Sequence, residues 1–388
     1  MRKVTLAPFH SALSSQLKFA ALAALTAAAL LFGTAREASA YPELIRHGYV
    51  NCVTCHVSPS GGGTINDYGR TFSGEGLSMG TRKQEESFLH GLVKREKIPK
   101  WLSLGGDVRA VQVYSDNQRA TVAQAIMMQA DLEAAARVGN VTVDASVGRI
   151  QTTPAKPPQP GSRRFFAMYN FSDELMLRVG RFTPVFGINL PDHIIDTRMY
   201  TQLDQGQETY NVEASWITDS WNVIVTGLQG PADYDKPQQE IGEAAQVAYA
   251  FKDTYKVGAS VLNARNDTQS RVMAGVHALL GFSERFYYMG ELDQQSTSQI
   301  ATGASLQGIY DYNRFGFEVV RGAHLLGTLE YWQPDGKTPN TANDRYGIGT
   351  QLFPRPHFDI QAMWTKWRKR ASGDNFEDYA WAVFHYYF

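Results

Sequence analysis

From residue 101 to residue 388 the sequence consists largely of short segments in which apolar and polar residues alternate. In residues 207–217, QETYNVEASWI, tyrosine, valine, alanine and tryptophan occupy every second position. Residues 243–252 and 357–367 repeat the pattern. Alternation with a period of two residues is typical of a β-strand with one apolar and one polar face. The pattern therefore predicts an all-β domain over residues 101–388.

Polar junctions of two lengths separate these segments. Seven are short and eight are longer, and they alternate along the chain, so sixteen strands are needed to connect them. The short turns are predicted near 139–140, 172–173, 218–220, 252–254, 283–284, 313 and 354–356, and the longer loops near 116–121, 153–162, 183–206, 230–242, 264–268, 296–301, 334–342 and 369–377. The stretch 314–333 is long for one strand, and Gly322 is an alternative position for a turn.

An even number of strands, with short turns on one side and long loops on the other, is typical of bacterial outer-membrane barrels. The chain ends in AWAVFHYYF, whose alternating aromatic residues and final phenylalanine resemble the assembly signal of such barrels. A soluble β-sandwich or periplasmic barrel is the alternative, but sixteen strands would leave a wide interior to fill. The small polar residues of the opposite face suit a wet lumen. We therefore predict a 16-stranded antiparallel transmembrane β-barrel in contact with outer-membrane lipid.

The first 40 residues have the organisation of a secretory signal peptide. Arg2 and Lys3 precede an apolar run at 19–32, and ASA ends at Ala40 as a small-residue cleavage site. A retained signal anchor is the alternative, but a run of 14 residues is shorter than the roughly 20 that span a bilayer. Cleavage would remove four basic residues and one acidic residue and change the formal net charge from −1 to −4. That charge gives no basis for binding nucleic acid, and the predicted location is the bacterial outer membrane after Sec-type export.

The two cysteines of the chain, Cys52 and Cys55, lie in CVTCH, where His56 follows directly. In an exported protein paired cysteines usually form disulfides, but Cys-x-x-Cys-His is the attachment signature of c-type haem. Each thiol would form a thioether to the haem, and His56 would be the proximal iron ligand. A redox dithiol would be expected in a thioredoxin-like context, and a zinc site would need two further ligands nearby. We predict one covalently attached haem c.

Residues 41–100 do not alternate and are predicted to form a small monohaem c-type cytochrome domain that precedes the barrel domain, residues 101–388. Three glycines in 58–70 would let the backbone pass close to a flat macrocycle, and 81–97 is predicted to be a helix. About 60 residues is small for a self-sufficient domain. The domain is therefore predicted to plug the barrel lumen and to bring the haem within reach of both sides of the membrane.

The sequence leaves the iron ligand opposite His56 open. Met79 lies in a glycine-flanked loop able to fold back, and a thioether ligand would raise the reduction potential. The other candidates are His90, which lies off the apolar stripe of the predicted helix, and His47, five residues before Cys52. A five-coordinate iron is also compatible with the motif.

The longest loop contains Asp192, His193 and Asp196, in PVFGINLPDHIID. Two carboxylates and an imidazole are suited to transient contact with an iron(II) ion. An ordinary polar constriction or surface loop is the alternative explanation.

The start of the mature sequence matches a known arrangement of residues. Pro42 lies ten residues and Arg46 six residues before Cys52, and YGRTF occupies 68–72. Within 41–72 the chain therefore resembles the fused monohaem cytochrome–porins of the outer membrane, some of which act as iron(II) oxidases. Where that family has Ala-Arg-Gln-Thr-Gly, this chain has IRHGY. The resemblance implies one haem, a sixteen-stranded barrel and electron transfer through the outer membrane.

Together these features predict an outer-membrane electron-transfer protein whose haem exchanges electrons with a periplasmic carrier and an extracellular redox partner. Oxidation of extracellular iron(II), the reaction of an iron(II) oxidase, is the most specific form of this prediction. Outward transfer to an extracellular acceptor would use the same parts. A transport porin with a haem gate or sensor and a soluble periplasmic haem protein are the alternatives.

Overall fold

A computed structural model of the protein describes most of the chain after residue 40. The described residues are 41–117, 120–150, 159–190, 195–231, 239–370 and 375–388. The predicted signal peptide, residues 1–40, lies outside them. In the described part, no helix has the length and apolar composition needed to cross a bilayer.

Antiparallel strands in the described chain form one sheet that closes on itself. They are β1 (Leu102–Asp116), β2 (Thr121–Val138), β3 (Val141–Ile150), β4 (Gln159–Gly161), β5 (Phe165–Asn170), β6 (Leu175–Phe182), β7 (Thr209–Ile217), β8 (Trp221–Gln229), β9 (Ile241–Phe251), β10 (Tyr255–Arg265), β11 (Gln269–Gly281), β12 (Phe286–Gln299), β13 (Ser305–Val320), β14 (Ala323–Gln333), β15 (Asn343–Leu352), β16 (Phe358–Lys369) and β17 (Phe376–Tyr387). The last strand pairs with the first, from Asp107 opposite Tyr387 to Asp116 opposite Asp378. No edge is left between β1 and β17.

Strands β4 and β5 together make a single span. Both pair with β3: Gly161 lies opposite Gly148, and Phe165 lies opposite Ala145, with a short interruption between them. The described strands therefore make a barrel of sixteen spans. The predicted 16-stranded antiparallel barrel is confirmed.

Six of the seven predicted short turns coincide with junctions between strands, but the turn predicted at Asn313 is wrong. Asn313 lies inside β13, paired with Gly290 and Leu329, and its side chain accepts a hydrogen bond from Tyr288 at 2.6 Å. The chain turns instead at Gly322, whose φ of 77° favours glycine. Cross-strand contacts thus override the preference of asparagine for turns.

The two faces of the sheet differ as the alternation predicts. On β7, Val212 is 54% exposed whereas the next residue, Glu213, is 0% exposed. The same contrast recurs on β8 between Val225 and Thr226. Apolar side chains on the outer face belong in lipid. The inner face carries buried ion pairs, such as that between Arg178 Nε and Glu213 Oε1 at 2.7 Å.

The chain before β1 packs against the inner face near the short turns. Its helical elements are 3₁₀ turns at Pro42–His47 and Cys52–Thr54, helix α1 (Asp67–Phe72), a π turn at Ser73–Leu77, and 3₁₀ turns at Lys83–Glu86, Phe88–Gly91 and Arg95–Lys97. Arg46 donates to the carboxylate of Glu318 at 3.1 Å, and Lys256 donates to the carbonyl of Val50 at 2.6 Å. Leu44 is fully buried. These contacts hold the segment against the polar side of the sheet.

The helix predicted over 81–97 is wrong, because separate 3₁₀ turns occupy that stretch. Leu89 and His90 have φ angles of 51° and 57°, in the left-handed region that interrupts a right-handed helix. Packing explains the break. The ring of Phe88 lies against that of Phe388 with centroids 5.1 Å apart, and the His90 ring lies 5.3 Å from that of the first residue of β16. These contacts outweigh the apolar periodicity of the stretch.

The longest loop, between β6 and β7, also packs against the inner face and includes helix α2 (Asp196–Thr201). The N–H of Ile188 donates to the carboxylate of Glu291 at 2.7 Å. The side-chain amide of Asn189 donates to the carbonyl of Ser60 at 2.7 Å. This loop, which leaves the barrel at the end with longer connections, is therefore in contact with the segment before β1.

Candidate functional site

The Cys-x-x-Cys-His sequence forms a compact turn in the segment before β1. The N–H groups of Cys55 and His56 both donate to the carbonyl of Cys52, at 3.2 and 3.0 Å. His56 then forms a β-bridge with Ile65, so the residues between them return as a loop. Both cysteines belong to the described part of the chain, and no disulfide joins them. The turn brings the two cysteines and the histidine to one cavity.

Three consecutive glycines, 61–63, lie in this loop with φ angles of 80°, 71° and 65°. A Cβ on Gly61 would lie 3.3 Å from Cys52 Sγ, and one on Gly63 would overlap the side chains of Arg164 and Glu133. Glycine is therefore required both for the backbone conformation and for the close approach. The loop reaches from a motif thiol at one end to the barrel wall at the other.

A cavity adjoins the motif and is bounded by the N-terminal segment and by barrel strands. One part of its lining is apolar: Tyr41, Pro42, Ile65, Phe72, Leu77 and Phe182. The remainder includes many polar and charged side chains: Asp107, Arg109, Gln129, Asp131, Glu133, Arg163, Arg164, Glu208 and His385. The lining as a whole suits a ligand with an apolar surface and an ionic edge.

Burial determines the protonation of the motif side chains. It lowers the pKa of His56 to about 4 and raises the pKa of the Cys52 thiol. The imidazole is therefore neutral near pH 7, which is the form that binds metals. Its Nδ1 is buried and has no hydrogen-bond partner in the described part of the chain.

The polar wall carries ion pairs that are longer than hydrogen bonds. They are Arg109–Asp107 at 3.6 Å, Arg163–Asp131 at 3.6 Å and Arg164–Glu133 at 3.8 Å. Among the described residues, Arg163 Nε and Arg164 Nη1 are buried without a hydrogen-bond partner. The wall thus presents buried N–H groups that a bound anion would satisfy.

Sequence reasoning missed this polar wall. His385 Nε2 lies 2.7 Å from Asp107 Oδ1, although the two residues are 278 positions apart in the sequence. They meet because β17 pairs with β1 at the barrel closure. The alternation of polar and apolar residues indicates which side chains of a strand face inward. It does not indicate the register in which the first and last strands pair.

The candidate sixth ligands lie away from this cavity. Met79 and His90 contact the turn before β16: the N–H of Met79 donates to a carbonyl at 2.8 Å, and His90 Nε2 lies 3.1 Å from another. His47 is half-buried, and burial lowers its pKa. In the described part of the chain, none of the three lines the cavity beside His56.

The predicted iron(II) contact falls largely outside the described residues. Asp192 and His193 are not among them, and only the backbone of Asp196, at the start of α2, is described. The contact therefore stays a prediction. Within the described ranges, no group of three or more His, Cys, Asp and Glu side chains is arranged to bind a metal ion.

No protein-family model matches the sequence, and no curated protein matches it. The structure aligns with OmpT of Vibrio cholerae at a TM-score of 0.58 and 9% identity, over 75% of this chain and 99% of that one. It aligns with the outer membrane channel DcaP of Acinetobacter baumannii at a TM-score of 0.56 and 12% identity, over 74% and 97%. The anion-selective porin from Comamonas acidovorans gives 0.52 and 11%, over 74% and 99%. At these identities the likeness concerns architecture alone: the chain has the fold of outer-membrane β-barrel porins.

Proposed function

We propose that the protein is an outer-membrane electron-transfer protein with one covalently attached haem c inside its barrel. The observation that carries the proposal is that the Cys-x-x-Cys-His turn opens onto a cavity whose other walls are barrel strands. Cys52 and Cys55 would supply the thioether sulfurs, and His56 the proximal imidazole. When bound, the haem supplies a reversible one-electron couple. Residues 41–100 would act as the plug that holds it, after Sec-type export and removal of residues 1–40.

The chemistry of the cavity supports a haem there. Its apolar lining suits a porphyrin face, and the buried N–H groups of Arg163 and Arg164 suit the two carboxylates of the macrocycle. Both cysteines line this cavity together with His56, as attachment of one haem through two thioethers requires. The neutral ring of His56 suits iron ligation.

Contacts from both ends of the barrel support electron transfer across the membrane. Arg46 holds the motif segment near the short turns, which lie on the periplasmic side in outer-membrane barrels. Asn189, in the loop from the opposite end, donates to Ser60 beside the glycine loop. A periplasmic electron carrier and an extracellular redox partner would each approach the cavity through one of these elements.

Extracellular iron(II) is the donor that we propose. The resemblance to iron(II)-oxidase-type cytochrome–porins supports it, as does the acidic loop with Asp192, His193 and Asp196. Oxidation of each Fe²⁺ ion to Fe³⁺ would release one electron, and the periplasmic carrier would be its acceptor. Outward transfer to an extracellular acceptor would reverse the direction through the same residues.

Protein purified from outer membranes tests the proposal. A haem stain after denaturing electrophoresis should follow the wild-type band and be lost in the C52A/C55A double variant, with heat-modifiable mobility confirming that both barrels are folded. In liposomes that contain ferricyanide, external iron(II) should be oxidised with the wild type and not with the double variant. Absence of covalent haem from the wild type would reject the proposal. If only a donor inside the liposomes reduces the haem, the direction of electron transfer would be outward instead.

A transport porin with a haem gate is the second candidate, favoured by the polar inner face and by the likeness to channels and porins. Conductance in planar bilayers separates the two. A plugged electron-transfer protein should pass little current, because residues 41–100 and the longest loop contact the inner face. Large conductance that changes with the redox state of the haem would favour the gated porin.

A further inference from the structure

The His56 cavity contains a second imidazole. Among the described residues that line it, His56 and His385 are the two histidines, and the lining includes no methionine. His385 is 6% exposed and belongs to β17, a paired strand at the barrel closure. A nitrogen donor on a rigid element therefore shares the cavity with the motif histidine.

A short chain of contacts connects the two imidazoles. His56 is bridged to Ile65, and the neighbouring Thr64 packs on β1, where its Cα lies 3.3 Å from the position of a Cβ on Gly105. Two residues further along β1, Asp107 Oδ1 lies 2.7 Å from His385 Nε2. The wall that carries His385 thus packs directly on the loop that follows His56.

Carboxylates face both nitrogens of the His385 ring. Asp107 accepts the hydrogen bond of Nε2, and Asp359 Oδ2 lies 4.0 Å from Nδ1. Iron-ligating histidines are commonly held by a carboxylate on the nitrogen that does not bind metal, which fixes the orientation of the ring. Asp359 is beyond hydrogen-bond distance of Nδ1 here, but it is the carboxylate on that side of the ring and would supply the support once the two groups approach.

We infer that His385 is the second axial ligand of the haem iron, opposite His56. The inference rests on the proposed function, since it requires a haem at Cys52 and Cys55. For Nε2 to ligate iron, its hydrogen bond to Asp107 must break and the ring proton must move from Nε2 to Nδ1, the nitrogen that faces Asp359. Ligation then joins the motif segment to the closing strand of the barrel, so the iron is six-coordinate and low-spin.

Spectroscopy of the purified holoprotein tests this assignment. The ferric wild type should be low-spin by electron paramagnetic resonance, and its ferrous form should bind carbon monoxide slowly. His385→Gly should become high-spin and bind carbon monoxide rapidly, and added imidazole should restore the low-spin spectrum. His385→Met should remain low-spin and gain a near-infrared sulfur-to-iron band with a raised reduction potential.

Two sets of variants separate ligation from a structural role. His385→Gln keeps an N–H for Asp107 but not an imidazole, so it should be high-spin if His385 ligates iron and low-spin if its role is the hydrogen bond alone. His47→Gln, Met79→Leu and His90→Gln should retain the wild-type spectrum, as should His324→Gln, which changes another buried inward histidine. Heat-modifiable mobility confirms that each barrel is folded.

These spectra distinguish failure of the His385 assignment from failure of the proposed function. A high-spin wild type, a low-spin His385→Gly without added imidazole, or a spectral change in Met79→Leu, His90→Gln or His47→Gln alone would overturn the inference while leaving haem attachment intact. Wild-type protein without covalent haem would instead overturn the proposed function. If His385→Gly fails to fold, His385→Gln and His385→Met carry the test.

Discussion

Gly63 lies in the motif loop where the loop packs against the barrel wall. Its φ is 65°, and an added Cβ would overlap Arg164 and Glu133. We expect Gly63→Ala to destabilise the protein by about 1–3 kcal/mol through overpacking, in addition to the backbone cost. Gly303 has a similar φ of 68° but no atom within 4 Å of its Cβ position, so Gly303→Ala isolates that backbone cost. Thermal unfolding in detergent, followed by tryptophan fluorescence, should show the larger loss for Gly63→Ala; equal losses would contradict the packing argument.

Glu213 neutralises a fully buried guanidinium. Arg178 Nε donates to it at 2.7 Å, and both side chains are almost inaccessible to solvent. Because removing one partner leaves an uncompensated buried charge, Glu213→Gln should lower the free energy of unfolding by roughly 3–5 kcal/mol. Glu377, which pairs with Lys369 at 3.5 Å in a more exposed position, is the matched control and should cost about 0–1 kcal/mol. Urea titrations of both variants in detergent measure the difference.

The Pro42–His47 turn places Glu43 in the interior, where burial raises its pKa to about 7. The folded protein therefore holds this proton more tightly than the unfolded chain, so the stability it contributes is greatest below about pH 4.5 and is lost as the pH rises through about 7. We expect the melting temperature of the wild type to fall relative to Glu43→Gln between about pH 5 and pH 8. Other titrating groups are common to both proteins. A difference that does not change with pH would show that Glu43 is not the group responsible.

The closing strand ends in a residue that continues the pairing with β1. Phe388 exchanges backbone hydrogen bonds with Gly106 at 3.0 Å in each direction, and its ring packs on Phe88. Deleting Phe388 removes both hydrogen bonds and the ring contact, so a smaller fraction of the protein should migrate as a folded, heat-modifiable barrel. Phe388→Leu keeps the backbone bonds and should retain most of that fraction. Equal loss in both variants would assign the effect to the aromatic ring.

Strands and turns were predictable because their signals are local. Alternation specifies a strand without knowledge of its partner, and six of the seven short turns follow from polar residues at strand ends. The failures occur where distant contacts decide the conformation. Asn313 is held in β13 by strands on both sides. The conformation of residues 81–97 is determined by their contacts with the end of the barrel and not by their apolar periodicity.

At the scale of the whole molecule, the candidate site was half predictable. The motif supplies Cys52, Cys55 and His56 within five consecutive residues, and such spacing is visible in any sequence. The opposite wall is assembled from strands at both ends of the barrel domain, with Asp107 on β1 and His385 on β17. Only the register of barrel closure brings those side chains together, and one-dimensional patterns do not contain that register.

The position of this wall has a consequence for biogenesis. The paired strands β1 and β17, which close the barrel, also form part of the wall around the motif cavity. A bulky prosthetic group cannot pass through a hydrogen-bonded sheet, and thioether formation requires the thiols to be accessible to the maturation machinery. If the protein carries the proposed haem, its attachment in the periplasm would therefore come before insertion into the outer membrane, and the loaded N-terminal segment would serve as the template around which the barrel closes.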